Sequence, residues 1–194
     1  MRTLVLDTST NLLFISFVDD NKVIYEVKSI GLNNHSDYLL DLIKKGLDEN
    51  NLQVKDFDQI ILGKGPGAYT GLRVSMSVAK MFSWTLNIPL YTISSLDLLT
   101  SGYKDEALYL IKFKAKKGYI YHKAFAIEEN AKKIITGEMF VNDEFIETYE
   151  QNNFKKVYII TNDLYNIDVL NIRKEELQLV DNVHALEPNY LREC

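Results

Sequence analysis

The run Leu62-Gly63-Lys64-Gly65-Pro66-Gly67-Ala68-Tyr69-Thr70-Gly71-Leu72-Arg73 holds four of the nine glycines in a chain of 194 residues, and it constrains everything around it. Before it, Asp58-Gln59-Ile60-Ile61-Leu62 is a short apolar run bounded by polar residues, the pattern of a buried strand. After it, Leu72 to Leu86 contains no Gly or Pro and predicts one helix. A strand, a glycine-rich turn and a helix start make a scaffold on which backbone N–H groups can converge on an anion. Gly65 and Gly67 allow backbone angles that side chains forbid, Pro66 stiffens the turn between them, and Thr70 is placed to cap the helix. Gly65, Gly67, Thr70 and Gly71 are therefore the candidates for an anion site. Two known nucleotide-loop patterns are not met: no Lys-Ser or Lys-Thr follows Gly71, and after Gly63-x-Gly65 position 68 is Ala. The other reading of the same residues is a tight turn that lets a helix pack closely on a sheet.

The rest of the chain has the composition to bury a core, with 46% hydrophobic and 25% charged residues, enough for one large domain or two small lobes. A net charge of -5 means that the molecule as a whole does not attract nucleic acid, so any RNA contact must be a local patch. The single cysteine, Cys194, excludes an intrachain disulfide framework. Leu4-Val5-Leu6 is too short for a signal peptide, and no stretch approaches the roughly 20 apolar residues of a membrane span. These features predict a cytoplasmic protein that does not enter a membrane.

In chain order, Thr3 to Asp7 and Leu12 to Val18 predict two strands joined by Thr8-Ser9-Thr10-Asn11, with Lys22 to Ser29 as a third after Asp19-Asp20-Asn21. Asp7 ends its strand before a Thr-Ser-Thr turn, which suits a turn-forming carboxylate. Ser36 or Asp37 caps a helix to about Glu49 whose apolar stripe is Leu39, Leu40, Ile43 and Leu47. Leu90 to Ser94 predicts the next strand, and Ser95 caps a short helix. Ser101 to Asp105 reads as a crossover, dividing the chain into lobes at 1–102 and 103–194. Leu108 to Phe113, Tyr119 to Ile127, Lys133 to Val141 and Lys156 to Thr161 predict strands, and Asp143 to Gln151 a helix.

Gly65-Pro66-Gly67-Ala68-Tyr69-Thr70-Gly71-Leu72-Arg73 resembles the G-P-G-S-F-T-G-L-R signature of the bacterial TsaB (YeaZ) family. Leu6-Asp7-Thr8-Ser9-Thr10, His35-Ser36-Asp37-Tyr38-Leu39-Leu40 and Pro188-Asn189-Tyr190-Leu191-Arg192 are similar to further family motifs in the same order. The resemblance implies an α/β chain of the actin-like (ribonuclease H-like, ASKHA) fold in two lobes. It also implies a non-catalytic subunit that binds a catalytic TsaD-like paralogue and, with a TsaE-like ATPase, supports threonylcarbamoyl transfer to the adenosine beside the tRNA anticodon. In TsaD a helix carries His-x-x-x-His for a metal. Here the residue four on from His35 is Leu39, so neither a metal nor any other cofactor is expected.

Two surfaces follow. Between Val74 and Leu86 the only charge is Lys80, and a helix apolar all round must be covered on more than one side. Gly71, Ser75, Ala79 and Ser83 form a small-residue seam along it. His35, Leu39, Ile43, Ser75, Met76, Ala79 and Ser83 are the expected interface for the TsaD-like partner, or for a second copy when the chain is alone. The other reading is that the Leu39/Ile43 helix fills the seam internally. In the second lobe Lys112, Lys114 and Lys116 alternate with Phe113 and Ala115, and with Lys117, His122 and Lys123 they form a basic patch for tRNA held through the complex. The competing reading is a sheet edge guarded by lysines. The family usually has Asp-Ala-Arg where this chain has Lys114-Ala115-Lys116. The alternative function is a stand-alone enzyme of the same fold, a peptidase or an ATP-dependent kinase. For the kinase, the resemblance would give Asp7 the place of the strand-one aspartate that faces metal and phosphates in ATP-binding relatives. From Gly118 onward the only other glycine is Gly137, so the second phosphate loop that a kinase requires is missing. No Ser-His-Asp set is evident for a peptidase.

Overall fold

The computed structural model describes residues 1–30, 35–144 and 154–191. Their strands and helices form two compact units, each built on its own sheet.

In the first unit, β1 (Arg2–Asp7), β2 (Leu12–Asp19) and β3 (Lys22–Ile30) make an antiparallel meander. Helix α1 (His35–Glu49) leads to β4 (Gln59–Gly63), which lies parallel to β1 on its other side. Helix α2 (Tyr69–Leu86) then leads to β5 (Leu90–Ile93), parallel to β4. The continuous apolar runs of β1 and β2 are buried along nearly their whole length, as central strands covered on both faces must be. Phe17 packs against Tyr25 and Phe57 at ring-centre distances of 4.9 and 5.0 Å, and the Tyr25 hydroxyl donates to the Leu42 carbonyl of α1 at 2.8 Å. One apolar cluster unites Leu4, Leu6, Phe17, Leu39, Ile43, Ile60, Leu62, Met76 and Ala79. Full burial of a single Leu or Ile of this set stabilises by about 1.5–3 kcal/mol.

After the short helix α3 (Ser95–Leu99), the second unit repeats the theme with β6 (Ala107–Lys114), β7 (Tyr119–Glu128) and β8 (Ala131–Asn142) antiparallel, and β9 (Val157–Ile160) parallel to β6. Strand orders β5-β4-β1-β2-β3 and β9-β6-β7-β8 place a meander beside parallel strands in both units. This is the two-lobed α/β actin-like (ribonuclease H-like) architecture. The expected helix from Asp143 to Gln151 falls largely outside the described residues.

A single boundary at 102/103 does not describe the units. The first comprises Met1–Leu98 and Asp168–Tyr190, and Leu99–Ile167 belongs to the second. The chain returns because β5 would otherwise present an open edge: β10 (Gln178–Leu179) pairs with it antiparallel, and the Asn189 amide donates to the Lys64 carbonyl at 2.7 Å.

Tyr109 forms the aromatic centre of the second unit, stacked on Phe125 at 4.9 Å and on Tyr158 at 5.4 Å, with its hydroxyl donating to the Asp105 carbonyl at 2.9 Å. Burial pushes its phenol up to about 12. The folded state therefore holds this proton more tightly than the unfolded chain, whose tyrosines titrate near pH ~10. The stabilisation from this group is complete below about pH 10 and is lost as pH rises through about 12. Near-ultraviolet circular dichroism should show an alkaline transition in that window. Tyr109→Phe, which cannot ionise, should move it upward; an unmoved transition would assign it to another group.

Candidate functional site

The glycine-rich loop joins β4 to α2 and lies against the turn between β1 and β2. Asp7, Thr8 and Ser9 of that turn are buried. The Asp7 Oδ1 accepts from the Ser9 amide at 2.7 Å and from the Ser9 hydroxyl at 2.6 Å, so this carboxylate does form a turn. The turn then grips the loop: the Ala68 amide donates to the Ser9 carbonyl at 2.7 Å, and the Thr8 hydroxyl donates to the Gly71 carbonyl at 2.6 Å. A Cβ on Gly67 would run into the Ser9 carbonyl, and one on Gly71 into the Thr8 carbonyl. On the other flank the Gly65 amide donates to the Ser95 hydroxyl and the Ser95 amide returns a bond to the Gly65 carbonyl, each at 2.9 Å.

These bonds favour the tight-turn reading of the loop. The amides of Gly65 and Ala68 are directed at Ser95 and Ser9, and Gly65, Gly67 and Gly71 are the residues of a close helix–sheet junction. Thr70 is not the cap. The helix begins at Tyr69, its N-cap is Ala68 with no side-chain bond, and Thr70 is exposed inside the first turn. Gly71 is already helical, and its lack of a side chain lets α2 approach β1 closely.

The expected partner interface is corrected in the same way. Leu39, Ile43, Ser75, Met76, Ala79 and Ser83 are all buried within the first unit. Ser75 donates its amide to Thr8 Oγ1 at 3.3 Å, Ala79 sits in the cluster with Leu39 and Ile43, and Ser83 donates to the Ile88 carbonyl at 2.7 Å. The His35 side chain lies outside the described residues. A further side of α2 is covered by the returning segment, where Val180, Val183 and Leu186 join the cluster. Lys80 reaches the carbonyls of His184 and Leu186 at 2.9 and 3.1 Å, so the helix's one mid-length charge fastens that segment. Sheet, α1 and C-terminal segment together explain why the helix is apolar nearly all round.

What remains outside is the stripe Tyr69, Arg73, Ser77, Met81 and Trp84, spaced by three and four residues on the face opposite the seam. Trp84 is 65% exposed, Tyr69 52% and Met81 45%. Arg73 lies over the Tyr69 ring at 4.0 Å and donates to the Tyr190 hydroxyl at 3.0 Å, while Tyr69 and Tyr190 stack at 5.1 Å. The Tyr190 hydrogen bond holds the Arg73 guanidinium above its ordinary pKa, so this charge persists at any pH of interest. Trp84 meets the His184 ring edge-on at 4.9 Å. None of these residues was among the sequence candidates. Their signal was the chain's single tryptophan, placed opposite the small-residue seam.

The basic patch is also redistributed. His122 and Lys123 are buried, and a His122 ring nitrogen lies 2.8 Å from the Ile111 carbonyl. Lys112 pairs across the sheet with His122 and Lys114 with Ile120, placing both lysines on one face. Lys116 instead lies over the ring of Tyr119, which is on the other face. Lys114, Lys116 and Lys117 are exposed and Lys112 is half-buried. Among the described residues no three His, Cys, Asp or Glu side chains form a group able to hold a metal ion, and no helix is long and apolar enough to cross a membrane.

A family model described as TsaD: tRNA N6-adenosine threonylcarbamoyltransferase matches residues 29–168. The chain is similar to the tRNA threonylcarbamoyladenosine biosynthesis protein TsaB of Bacillus subtilis (strain 168), 33% identical over 122 residues. That match covers 62% of this chain and about half, 53%, of the relative. The protein of the same name from Buchnera aphidicola subsp. Schizaphis graminum is 29% identical over 192 residues, covering 96% of this chain and 88% of that one. In three dimensions the chain resembles a crystal structure described as an uncharacterized protein with similarity to peptidase YEAZ from Pseudomonas aeruginosa. The TM-score is 0.79 at 19% identity, over 98% of this chain and 99% of that one. YeaZ from Pseudomonas aeruginosa follows at a TM-score of 0.68 and 22% identity, over 77% and 73% of the two chains. The chain belongs to the TsaB (YeaZ) family, within the wider family that the threonylcarbamoyltransferase model describes.

Proposed function

We propose that this chain is a non-catalytic subunit in tRNA threonylcarbamoyladenosine biosynthesis. It docks onto a TsaD-like catalytic subunit, works beside a TsaE-like ATPase, and meets tRNA as part of that complex; without its partner it pairs with a second copy. The observation that carries the non-catalytic reading is the closure of the Gly65–Gly71 loop, whose Gly65 and Ala68 amides are bonded to Ser95 and Ser9. In an ATPase of this fold such groups would be turned toward phosphates. The name shared by the Bacillus and Buchnera relatives supports the pathway. The docking face is the stripe of Tyr69, Arg73, Met81 and Trp84, whose mixture of exposed aromatics, methionine and arginine is the composition enriched in interface cores.

Affinity purification of the chain from its native host should recover a metal-containing TsaD-like paralogue, and the purified chain alone should not hydrolyse ATP. ATP turnover that vanishes in Asp7→Ala would overturn this reading and revive the kinase.

A further inference from the structure

From Ala107 to Ile127 the chain carries five lysines and no carboxylate, in a protein of net charge -5. Excluding buried Lys123, this charge gathers toward the turn between β6 and β7, where Lys114, Lys116 and Lys117 are exposed. The sheet order is β8-β7-β6-β9, but β9 pairs with β6 only from Leu108 to Ile111, and beyond it the Lys114 amide donates to Asn162 Oδ1 at 2.6 Å. Edge protection can account for Lys112 and Lys114, but not for Lys116 and Lys117, which stand in the turn between the strands.

Beside the turn lies a flat aromatic ledge. Tyr119 and Phe140 stack with centroids 4.9 Å apart and planes 3° from parallel, and Tyr121 adjoins Phe140 at 5.6 Å. Cross-strand register puts Tyr121 opposite Phe140 and Tyr119 opposite Asn142, so the three rings share one face. All three are half-buried, which leaves part of each ring open to solvent. Lys116 Nζ stands 4.5 Å from the Tyr119 ring centre and 5.4 Å from that of Phe140. The turn is closed by backbone bonds of 2.9 Å from Ala115 to Tyr119 and from Tyr119 to Lys116. Its Gly118 has φ +78 and nothing within 4 Å of where a Cβ would stand. The tip is therefore closed by backbone bonds, left-handed at one residue and open to a large ligand.

A ligand suited to this surface has a string of negative charges and flat apolar faces a few ångströms from them. Duplex nucleic acid offers the charges but hides its base faces, whereas a single strand offers both. We propose that the β6–β7 turn and the Tyr119–Phe140–Tyr121 ledge form a binding site for unpaired RNA. Lys116 and Lys117 hold phosphates beside the rings on which bases stack, and Lys114, on the other face of β6, holds a phosphate where the strand passes round the turn. Lys116, which now covers the ledge, moves from ring to phosphate as a base takes its place. That the nucleic acid is RNA rests on the proposed role in tRNA modification; the stacking and charge are those of the hairpin itself.

The test is fluorescence anisotropy of the isolated full chain with a short oligouridylate and with an RNA duplex of equal length, across a salt series. The single strand should bind more tightly. Tyr119→Leu should weaken it about tenfold with the salt slope unchanged, and Tyr119→Phe should bind as the parent does. Lys114→Gln with Lys117→Gln should lower the slope of log K against log salt by about 1.4, at ~0.7 per phosphate contact. Equal or tighter duplex binding, equal binding of polyglutamate, or full binding by a folded Tyr119→Leu would each overturn the site. Should Tyr119→Leu fail to fold, Tyr121→Leu takes its place with the same expectation. Loss of oligouridylate binding in a chain that still recovers its paralogue refutes this site alone. Binding retained without any paralogue refutes the docking reading and leaves the site standing.

Discussion

Ala79→Arg will destabilise the first unit before it reveals anything about a partner. Ala79 is 0% exposed in the cluster with Leu39 and Ile43, and Ser75 one turn earlier is also 0% exposed. An uncompensated charge forced into such a place costs roughly 3–5 kcal/mol, before counting the steric displacement of α1 by the longer side chain. Native stabilities are only about 5–15 kcal/mol. In a chain of this size each kcal/mol moves the thermal midpoint by about 2–4 °C, so the fall should be about 6–20 °C. Met76→Arg, at 4% exposure on the same helix, should behave alike. Differential scanning calorimetry of both variants decides the matter: a midpoint within a degree or two of the parent would place the seam on the surface after all.

Met81→Arg should do the reverse, leaving the midpoint nearly unchanged while abolishing partner binding. Met81 is 45% exposed on α2, between Ser77 and Trp84 on the outward stripe, and arginine is a good helix former. Placed in the centre of a docked interface, the new charge would cost roughly 3–5 kcal/mol, or at least about a hundredfold in affinity. Trp84→Ala should cost about thirtyfold by loss of a buried aromatic anchor. Titration of the TsaD-like paralogue by isothermal calorimetry reads both effects. Parent-like affinity in Met81→Arg would remove this face of α2 from the interface, whatever the fate of Trp84→Ala. In the absence of the paralogue, sedimentation should show the same variant shifted from dimer to monomer.

The contrast between these two substitutions locates what could be read along the chain. Periodicity and glycine placement were enough for the strands, for α1 and α2, and for the strand–turn–helix around Gly63 to Arg73. Those signals are local: alternation or a 3.6-residue period reports which face is apolar, and a glycine cluster reports a backbone without room for side chains. The motif likewise carried the family, because Gly-Pro-Gly-Ala-Tyr-Thr-Gly-Leu-Arg encodes a junction where three glycines lie in close contact with other parts of the unit. What no local pattern holds is which neighbour covers a face. Thr8 of the β1–β2 turn and Leu39 and Ile43 of α1 fill the Gly71–Ser83 seam, while residues 168–190, far away in sequence, return to pair with β5, fasten to Lys80 and cover a further side of the same helix, so that the expected docking surface is core. Likewise, alternation along β6 placed Lys112 and Lys114 correctly on one face, but only the turn geometry put Lys116 over Tyr119 on the other, and only the sheet order made β6 and β7 interior strands. A side chain's facing is set by its own backbone, which the sequence encodes within a few residues. Its partner is set by long-range packing, which depends on every other segment competing for the same apolar surface.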